Sequence, residues 1–135
     1  MREIQKNIVI SKNKLAKGTY EFWIENELIA RNAKPGQFVI IRTSEKGERI
    51  PITVADTRDG VFRIVVKAVG KSTIELCMKD EKEQLFDVVG PLGKPSEIDY
   101  YGKVMVIGGG IGIAAIFPIA KALKNAGNVV TVILG

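Results

Sequence analysis

The 135-residue sequence carries 20 Lys and Arg against 15 Asp and Glu, which gives a net charge of +5, and 46% of its residues are hydrophobic. This balance is typical of a globular protein and excludes a disordered or fibrous chain. Histidine is absent and Cys77 is the only cysteine, which excludes a Ser-His-Asp triad, a histidine-ligated metal site and a disulfide within one chain.

The N-terminal residues, MREIQKNIVISKNKL, interrupt every short apolar run with a charged or amide side chain. They lack the apolar segment of a signal peptide, so we predict a cytoplasmic protein in which Cys77 stays reduced. The basic residues are scattered along the chain and form no continuous stripe. This distribution gives little support for nucleic-acid binding.

Residues 3–93 have the pattern of short antiparallel strands separated by turns. Runs rich in Val, Ile, Thr and aromatic residues are bounded by Gly, Pro, Asn and Lys clusters. The predicted strands are residues 3–11, 19–25, 37–43, 51–57, 61–68 and 83–93, with a short helix over residues 70–82. Because closing a sheet on itself removes edges that would otherwise seek partners, we predict a six-stranded antiparallel barrel.

The pattern changes after these strands. Residues 104–109 and 128–134 are continuous apolar strands, and residues 111–127 between them have the composition of a helix. Continuous apolar strands on both sides of a helix predict a parallel βαβ unit that is buried on both faces. The fold class is therefore an antiparallel barrel over residues 1–98, followed by the first βαβ unit of an α/β domain over residues 99–135.

This second domain is incomplete as it stands. Two strands and one helix bury too little apolar surface to be stable alone. We therefore expect the chain to be part of a longer protein and to be inactive by itself. We also expect the exposed edge of the incomplete sheet to self-associate with a second copy.

The stretch VMVIGGGIGIAAIFPIAKAL, residues 104–123, begins with seventeen uncharged residues. A membrane span is excluded because this run is too short, contains Pro118 and has no flanking aromatic belt. Glycines at a strand-to-helix turn bare the backbone amides at the positive end of the helix, where the phosphates of a nucleotide bind. A tight packing turn without a ligand remains the alternative, because Ile113 stands at the third glycine position of G-x-G-x-x-G.

A second candidate site lies in the predicted barrel. Arg49 and Thr53 provide a cation and a hydroxyl four residues apart, at the start of a strand. Further along, Gly70 opens a helix whose first turn carries Ser72 and Thr73, so amides and hydroxyls meet where an anion fits. The alternative is helix capping by Ser72, with Lys71 in solvent.

The order of these motifs is more specific than any one of them. PGQF, RIPIT, GKST, GPLG and GGGIGIAA follow one another along nearly all 135 residues. In this order they resemble the ferredoxin reductase-like flavoprotein family, and within it the electron-transfer subunits that oxidise NAD(P)H. The resemblance implies a barrel that binds FAD, followed by a Rossmann-like domain whose bound NAD(P)H passes a hydride to the flavin.

The resemblance also assigns residues. Thr53 matches the hydroxyl of the family's Arg-x-x-Ser/Thr flavin motif, while Arg49 stands one residue before the arginine position. The implied FAD-binding residues are Arg49, Pro51, Ile52, Thr53, Lys67, Ala68, Gly70, Lys71, Ser72 and Thr73. The implied dinucleotide-binding residues are Gly108, Gly109, Gly110, Gly112 and Ile113. No residue is assigned to catalysis or to a metal.

The likened subunits carry a [2Fe-2S] centre held by a cysteine cluster. With Cys77 as its only cysteine, this chain cannot hold such a centre alone. We therefore expect the centre in a further part of the protein or in an iron-sulfur or catalytic partner subunit, and we expect neither nucleic acid nor membrane as a partner. The sequence leaves the choice between NAD and NADP open, because the residue that reads the ribose 2′ position would follow the second strand.

One function of a different class stays open at this point. A non-enzymatic small barrel could bind single-stranded nucleic acid through Phe22, Trp23 and Phe38, helped by the excess of basic charge.

Overall fold

A computed structural model describes residues 5–135 of the protein. Nine strands and three helices form within these residues. In chain order they are β1 (Ile8–Ala16), β2 (Thr19–Glu25), α1 (Glu27–Asn32), β3 (Phe38–Arg42), β4 (Ile50–Thr53), β5 (Asp56–Arg58), β6 (Val61–Lys67), α2 (Lys71–Cys77), β7 (Asp87–Leu92), β8 (Lys103–Gly108), α3 (Gly112–Asn125) and β9 (Val129–Leu134).

The first sheet has the strand order β1-β2-β6-β5 and is antiparallel throughout. Its strands alternate, because successive side chains of a strand point to opposite faces. In β2, Phe22 and Ile24 are fully buried, whereas Glu21 and Trp23 lie on the outer face. This alternation gives the sheet one apolar face and one polar face.

The second sheet has the order β4-β3-β7 and is also antiparallel. Val39 and Ile41 of β3 are fully buried and share one core with the inner face of the first sheet. Leu76 of α2 closes the same core. Burying each such side chain stabilises the fold by about 1.5–3 kcal/mol, so this shared core holds the two sheets together.

The prediction of a closed six-stranded barrel is not confirmed, because residues 5–135 form two separate sheets with seven strands in this region. Residues 51–57, predicted as one strand, divide into β4 and β5 at the buried pair Val54 and Ala55. The amide of Val54 donates to Gln37 O at 3.1 Å, while that of Ala55 donates to Arg63 O at 2.8 Å. Successive residues thus bond to different sheets, which breaks the strand.

Two further differences concern local structure. The helix α1 was not predicted, although Asn26 caps it by accepting a hydrogen bond from the Ile29 amide at 3.0 Å. The predicted strand over residues 83–93 is shorter, since β7 begins only at Asp87. The helix predicted over residues 70–82 is confirmed in its first half as α2.

The predicted βαβ arrangement is confirmed, because β8 and β9 pair in parallel with α3 between them. The prediction that these strands are buried on both faces is wrong. Met105 and Ile107 on the face opposite α3 are 62% and 68% exposed. Nothing in residues 5–135 covers this face, which leaves an apolar surface in solvent.

A buried amide ties the βαβ unit together. The Asn128 side chain accepts hydrogen bonds from the amides of Tyr101 and Gly102 and donates to the carbonyl oxygens of Asp99 and Leu123. All four of its hydrogen-bonding positions are therefore used. This amide joins the segment before β8 to the end of α3.

In the described part of the chain, no helix is long and apolar enough to cross a membrane.

Candidate functional site

The two motifs predicted to bind FAD lie side by side. Arg49 is exposed in the loop before β4, and Thr53 is the last residue of that strand. In the same loop, Glu48 accepts a hydrogen bond from Ser72 Oγ at 2.6 Å. A second link runs from Thr43 Oγ1 to Glu75 Oε2 at 3.4 Å. These contacts join the entry to β4 to the helix α2.

Within β4 the predicted residues have different surroundings. Pro51 is exposed, whereas Ile52 is partly buried and packs against the core. At the end of β6, Lys67 is exposed and Ala68 is partly buried against the same core. The exposed residues can therefore reach a ligand, while Ile52 and Ala68 mainly support the strands that carry them.

The first turn of α2 is capped by Thr73, and the predicted alternative of capping by Ser72 is wrong. Thr73 Oγ1 accepts hydrogen bonds from the amides of Val69 and Gly70, at 2.9 and 3.0 Å, and donates to Gly70 O at 3.1 Å. The Thr73 hydroxyl is thus committed to the backbone. The Lys71 side chain is exposed, so Lys71 and Ser72 are the side chains of this turn that a ligand can meet.

Space for an anion exists at this turn. Gly70 has a φ of −149°, which is extended backbone that any residue adopts. A Cβ added at Gly70 would meet no atom within 4 Å. Glycine is therefore not required here by the conformation or by packing, and its effect is to leave the approach to α2 open.

The glycines before α3 have separate roles. A Cβ at Gly108 would lie 2.5 Å from Ile116 Cδ1, so this glycine lets the helix pack on the strand. Gly110 has a φ of +55°, in the left-handed region that favours glycine. A Cβ at Gly109 would find only Gly135 O, at 3.9 Å, and one at Gly112 would find nothing within 4 Å. Packing thus explains Gly108 but not Gly109 or Gly112.

The backbone amides of this turn are only partly used. The Gly110 amide donates to Gly135 O at 3.1 Å, and the Gly112 amide donates to Gly109 O at 3.0 Å. Within residues 5–135, the amides of Gly109 and Ile111 donate to no acceptor. These two amides lie next to the positive end of α3, where an anion is stabilised. The turn therefore offers two unused amide donors, and phosphate binding at this turn stays a prediction.

A cavity of about 1050 Å³ opens between the outer face of the first sheet and the start of α3. Six residues of its sheet wall are Ser11, Asn13, Glu21, Trp23, Arg63 and Lys67. Its helix wall contains Gly110, Ile111, Ile113, Ala114 and Phe117. The structure thus brings Lys67, predicted with the FAD residues, together with Gly110 and Ile113, predicted for the dinucleotide. Arg49, Thr53 and the first turn of α2 lie outside this cavity.

The acidic side chains of the cavity each form an ion pair with a basic side chain. Arg63 Nε donates to Glu21 Oε2 at 2.6 Å, and Lys121 Nζ lies 3.5 Å from Asp56 Oδ1. Burial opposes ionisation of Glu21, but hydrogen bonds from Arg63 and Asn13 and the charge of Arg63 outweigh it, so the Glu21 pKa lies below its ordinary value. Both carboxylates of the cavity are therefore paired with cations.

Sequence reasoning missed Arg58 and named Trp23 only as a stacking residue for nucleic acid. The Arg58 guanidinium lies over the ring of Trp23, with 4.5 Å between the guanidinium carbon and the ring centroid. The alternation of TYEFWIE was a usable signal for Trp23, because it sets this residue opposite the buried Phe22. Nothing in the sequence pairs Arg58 with Trp23, because the two residues lie on strands that are not neighbours.

The nucleic-acid alternative is not favoured by the structure. Phe22 is fully buried in the core and cannot stack on a base. Phe38 is half-buried, and its ring lies against Gly93. Trp23 alone of the three aromatics is placed on the outer face, where it is covered by Arg58. A stacking platform needs several accessible rings.

Comparison with known proteins identifies relatives over the whole chain, although no protein-family model matches. The chain is 56% identical over 131 residues to a dihydroorotate dehydrogenase B (NAD(+)) electron transfer subunit homolog of Thermotoga maritima, covering 96% of this chain and 46% of the relative. It is 34% identical over 138 residues to the dihydroorotate dehydrogenase B (NAD(+)) electron transfer subunit of Geobacillus thermodenitrificans, covering 96% of this chain and 53% of the relative. The chain therefore spans about half the length of the curated relatives that it matches.

Solved structures also match this chain over nearly its whole length. The structure of an NADH-dependent reduced ferredoxin-NADP oxidoreductase superposes with a TM-score of 0.95 and 55% identity, covering 100% of this chain and 50% of that one. A ferredoxin reductase in carbazole 1,9a-dioxygenase superposes with a TM-score of 0.82 at 24% identity, covering 97% and 41% of the two chains, and shares the fold. The resemblance predicted from the motifs is therefore confirmed.

Proposed function

This chain is related in sequence and fold to the ferredoxin reductase-like flavoproteins, and on that premise we propose that it is the FAD-binding part of an NAD(P)H oxidoreductase electron-transfer subunit. It would take a hydride from NAD(P)H and pass electrons to an iron-sulfur partner. The observation that carries this proposal is the contact between the β4 entry loop and the first turn of α2, which unites the two FAD motifs.

The residues at that contact would hold FAD. Ser72 and the open approach at Gly70 suit a diphosphate, with Lys71 and Arg49 as exposed cations nearby. Thr53 at the end of β4 adds a hydroxyl, and Thr73 fixes the helix start. When bound, FAD supplies the hydride and electron chemistry that these side chains lack. The residues of this chain bind it and set its orientation.

The glycine turn before α3 would hold NAD(P)H. Gly109 and Gly112 leave open space, and the amides of Gly109 and Ile111 offer donors beside the helix dipole. We assign residues 1–98 to an FAD-binding domain and residues 99–135 to the start of a Rossmann-like NAD(P)-binding domain. Both NAD(+) and NADP appear in the names of the relatives, so the proposal covers NADH and NADPH alike.

We extend the proposal to partners and location. The relatives are named as electron-transfer subunits, which supports an iron-sulfur or catalytic partner subunit. The exposed apolar face of β8 and β9 supports self-association through the incomplete sheet. A cytoplasmic location stays a prediction.

The test is a titration of the purified protein with FAD, followed by flavin absorbance and fluorescence. We expect one FAD per chain. Glu48 places a carboxylate on Ser72, where the diphosphate is proposed. Glu48→Gln should therefore tighten FAD binding about two- to fivefold, as expected for removing a like charge at a helix start.

Glu45→Gln is the matched control, because Glu45 is an exposed carboxylate of the same loop whose side chain has no ion pair within residues 5–135. It should leave FAD affinity unchanged. A wild-type protein that takes up no FAD would refute the proposed function. Equal effects of the two substitutions would refute the placement at α2.

A further inference from the structure

The sheet wall of the large cavity has a row of polar residues set by the strand register. Trp23 of β2 pairs with Arg63 of β6, and Arg63 pairs with Asp56 of β5. Four residues further along these strands, Thr19 pairs with Lys67. Residues that face each other across antiparallel strands share a face. Arg63 and Lys67 therefore stand on the outer face, opposite the glycine turn across the cavity.

The Arg58 guanidinium lies over the Trp23 ring, with 4.5 Å between the guanidinium carbon and the ring centroid. A guanidinium that stacks on an aromatic ring keeps its N–H groups in its own plane, where they point sideways. Stacking therefore costs Arg58 none of its hydrogen-bond donors. It also limits the number of positions that the side chain can adopt, which prepares the planar group for a bidentate acceptor such as a phosphate.

The free charge of the cavity is positive. Glu21 is neutralised by Arg63, and Asp56 by Lys121. Arg58 and Lys67 form no ion pair within residues 5–135. Two cations thus remain without a counter-charge in a space that apolar residues of α3 also line. Such a space favours a ligand that carries both negative charge and an apolar ring.

We propose that the outer face of the first sheet is the second wall of the nucleotide site, in which Arg58 and Lys67 contact phosphate oxygens of the nucleotide held at the glycine turn. This inference rests on the proposed function and adds to it. The recognised chemistry is that of a nucleoside diphosphate, whose ring packs on the apolar lining and whose charge is shared between the turn and the two cations. The nucleotide site is therefore built by both parts of the chain.

The experiment is a calorimetric titration of the purified protein with ADP, with the fluorescence of Trp23 as a second signal. Trp23 is the single tryptophan of the 135 residues, so ADP in the cavity should change its emission. Arg58→Gln and Lys67→Gln should each raise the Kd for ADP, on the order of tenfold for Arg58. Arg58→Lys should recover only part of the loss, because it keeps the charge without the planar group.

Lys103→Gln is the matched control, since Lys103 is exposed at the end of β8 that lies away from the glycine turn. It should leave the Kd within about twofold. Gly109→Val separates this inference from the proposed function. One outcome is that Gly109→Val abolishes ADP binding while Arg58→Gln and Lys67→Gln bind ADP like the wild type. That outcome refutes the contacts from the first sheet and supports the nucleotide site at the glycine turn. A wild-type protein that binds no ADP and no NADH refutes both.

Discussion

The three consecutive glycines before α3 differ in what each one allows. Gly108 is in contact range of Ile116, Gly110 takes a left-handed conformation, and Gly109 faces open space. Of these, only Gly109 has no structural requirement for glycine. A run of one residue type therefore combines packing, backbone geometry and open space.

We predict different effects on protein stability for substitutions at two of these glycines. Gly108→Ala should lower the free energy of unfolding by about 1–3 kcal/mol, because its Cβ would collide with Ile116 Cδ1 at 2.5 Å. Gly109→Ala should change it by less than about 0.5 kcal/mol, because the added Cβ meets open space. Urea unfolding of the two variants and the wild type measures both values. Equal destabilisation would contradict the separate roles.

At the scale of single residues, the sequence located the two strand-to-helix turns with their glycines but not the use of each polar group. GKST predicts a helix start with two hydroxyls, and α2 begins there. Which hydroxyl caps the helix depends on side-chain rotamers and on Glu48, which lies 24 residues earlier and reaches Ser72 only in the folded chain. The choice of the capping hydroxyl therefore depends on tertiary contacts, and the local sequence pattern does not predict it.

Among the elements, β2 and β6 are joined by more than backbone bonds. Glu21 and Arg63 are largely buried, with side chains 16% and 20% exposed, and their contact is 2.6 Å. The pKa of Glu21 lies below its ordinary value of 4.5 in the folded protein, because hydrogen bonds from Arg63 and Asn13 and the Arg63 charge outweigh the effect of burial. The ionised carboxylate thus links the two strands.

This pairing predicts an acid-dependent loss of stability. Since the folded pKa is depressed, the contribution of Glu21 is fully present above about pH 4.5 and disappears as the pH falls through the folded pKa. The free energy of unfolding should drop as the pH falls below about 4.5, and the drop should be smaller in Glu21→Gln. Urea unfolding at a series of pH values measures this. An identical slope in Glu45→Gln and Glu21→Gln would contradict the assignment.

Most elements were predictable because their patterns are local. Alternation placed β2 and β6, and continuous apolar runs placed β8 and β9. The break between β4 and β5 was not predictable, because Val54 and Ala55 look like strand residues and the break comes from bonds to two different sheets. The helix α1 was missed although Asn26 is a common N-cap residue. A helix of six residues is too short to show the apolar periodicity of a helix.

The whole molecule presents an apolar face on β8 and β9 that nothing in residues 5–135 covers. Met105, Ile107 and Val129 are each more than half exposed, and Ile133 on the same face is 45% exposed. Exposed apolar patches of this kind usually mark surfaces that associate. We therefore predict that this chain self-associates in a concentration-dependent way.

Light scattering over a range of protein concentrations measures this association. Met105→Lys and Ile107→Lys together should shift the protein towards the monomer, since charges on this face oppose burial. Ile74→Lys and Met78→Lys serve as the control, because these exposed apolar residues lie at α2. A monomer at every concentration tested would contradict the prediction, as would equal effects of the two pairs of substitutions.

The large cavity is also a property of the whole molecule. Its walls come from β1, β2, β5, β6 and the start of α3. No local pattern states that a helix beginning at residue 112 faces a sheet formed by residues 8–67. The sequence could therefore locate both glycine-containing turns but not the surface that one of them faces.

The most direct test of the account is a crystal structure of the protein with FAD bound. We predict that the FAD diphosphate lies within hydrogen-bond distance of Ser72 and of the amides of the first turn of α2, and that Glu48 is displaced from Ser72. FAD bound elsewhere, with the hydrogen bond between Ser72 and Glu48 intact, would contradict it.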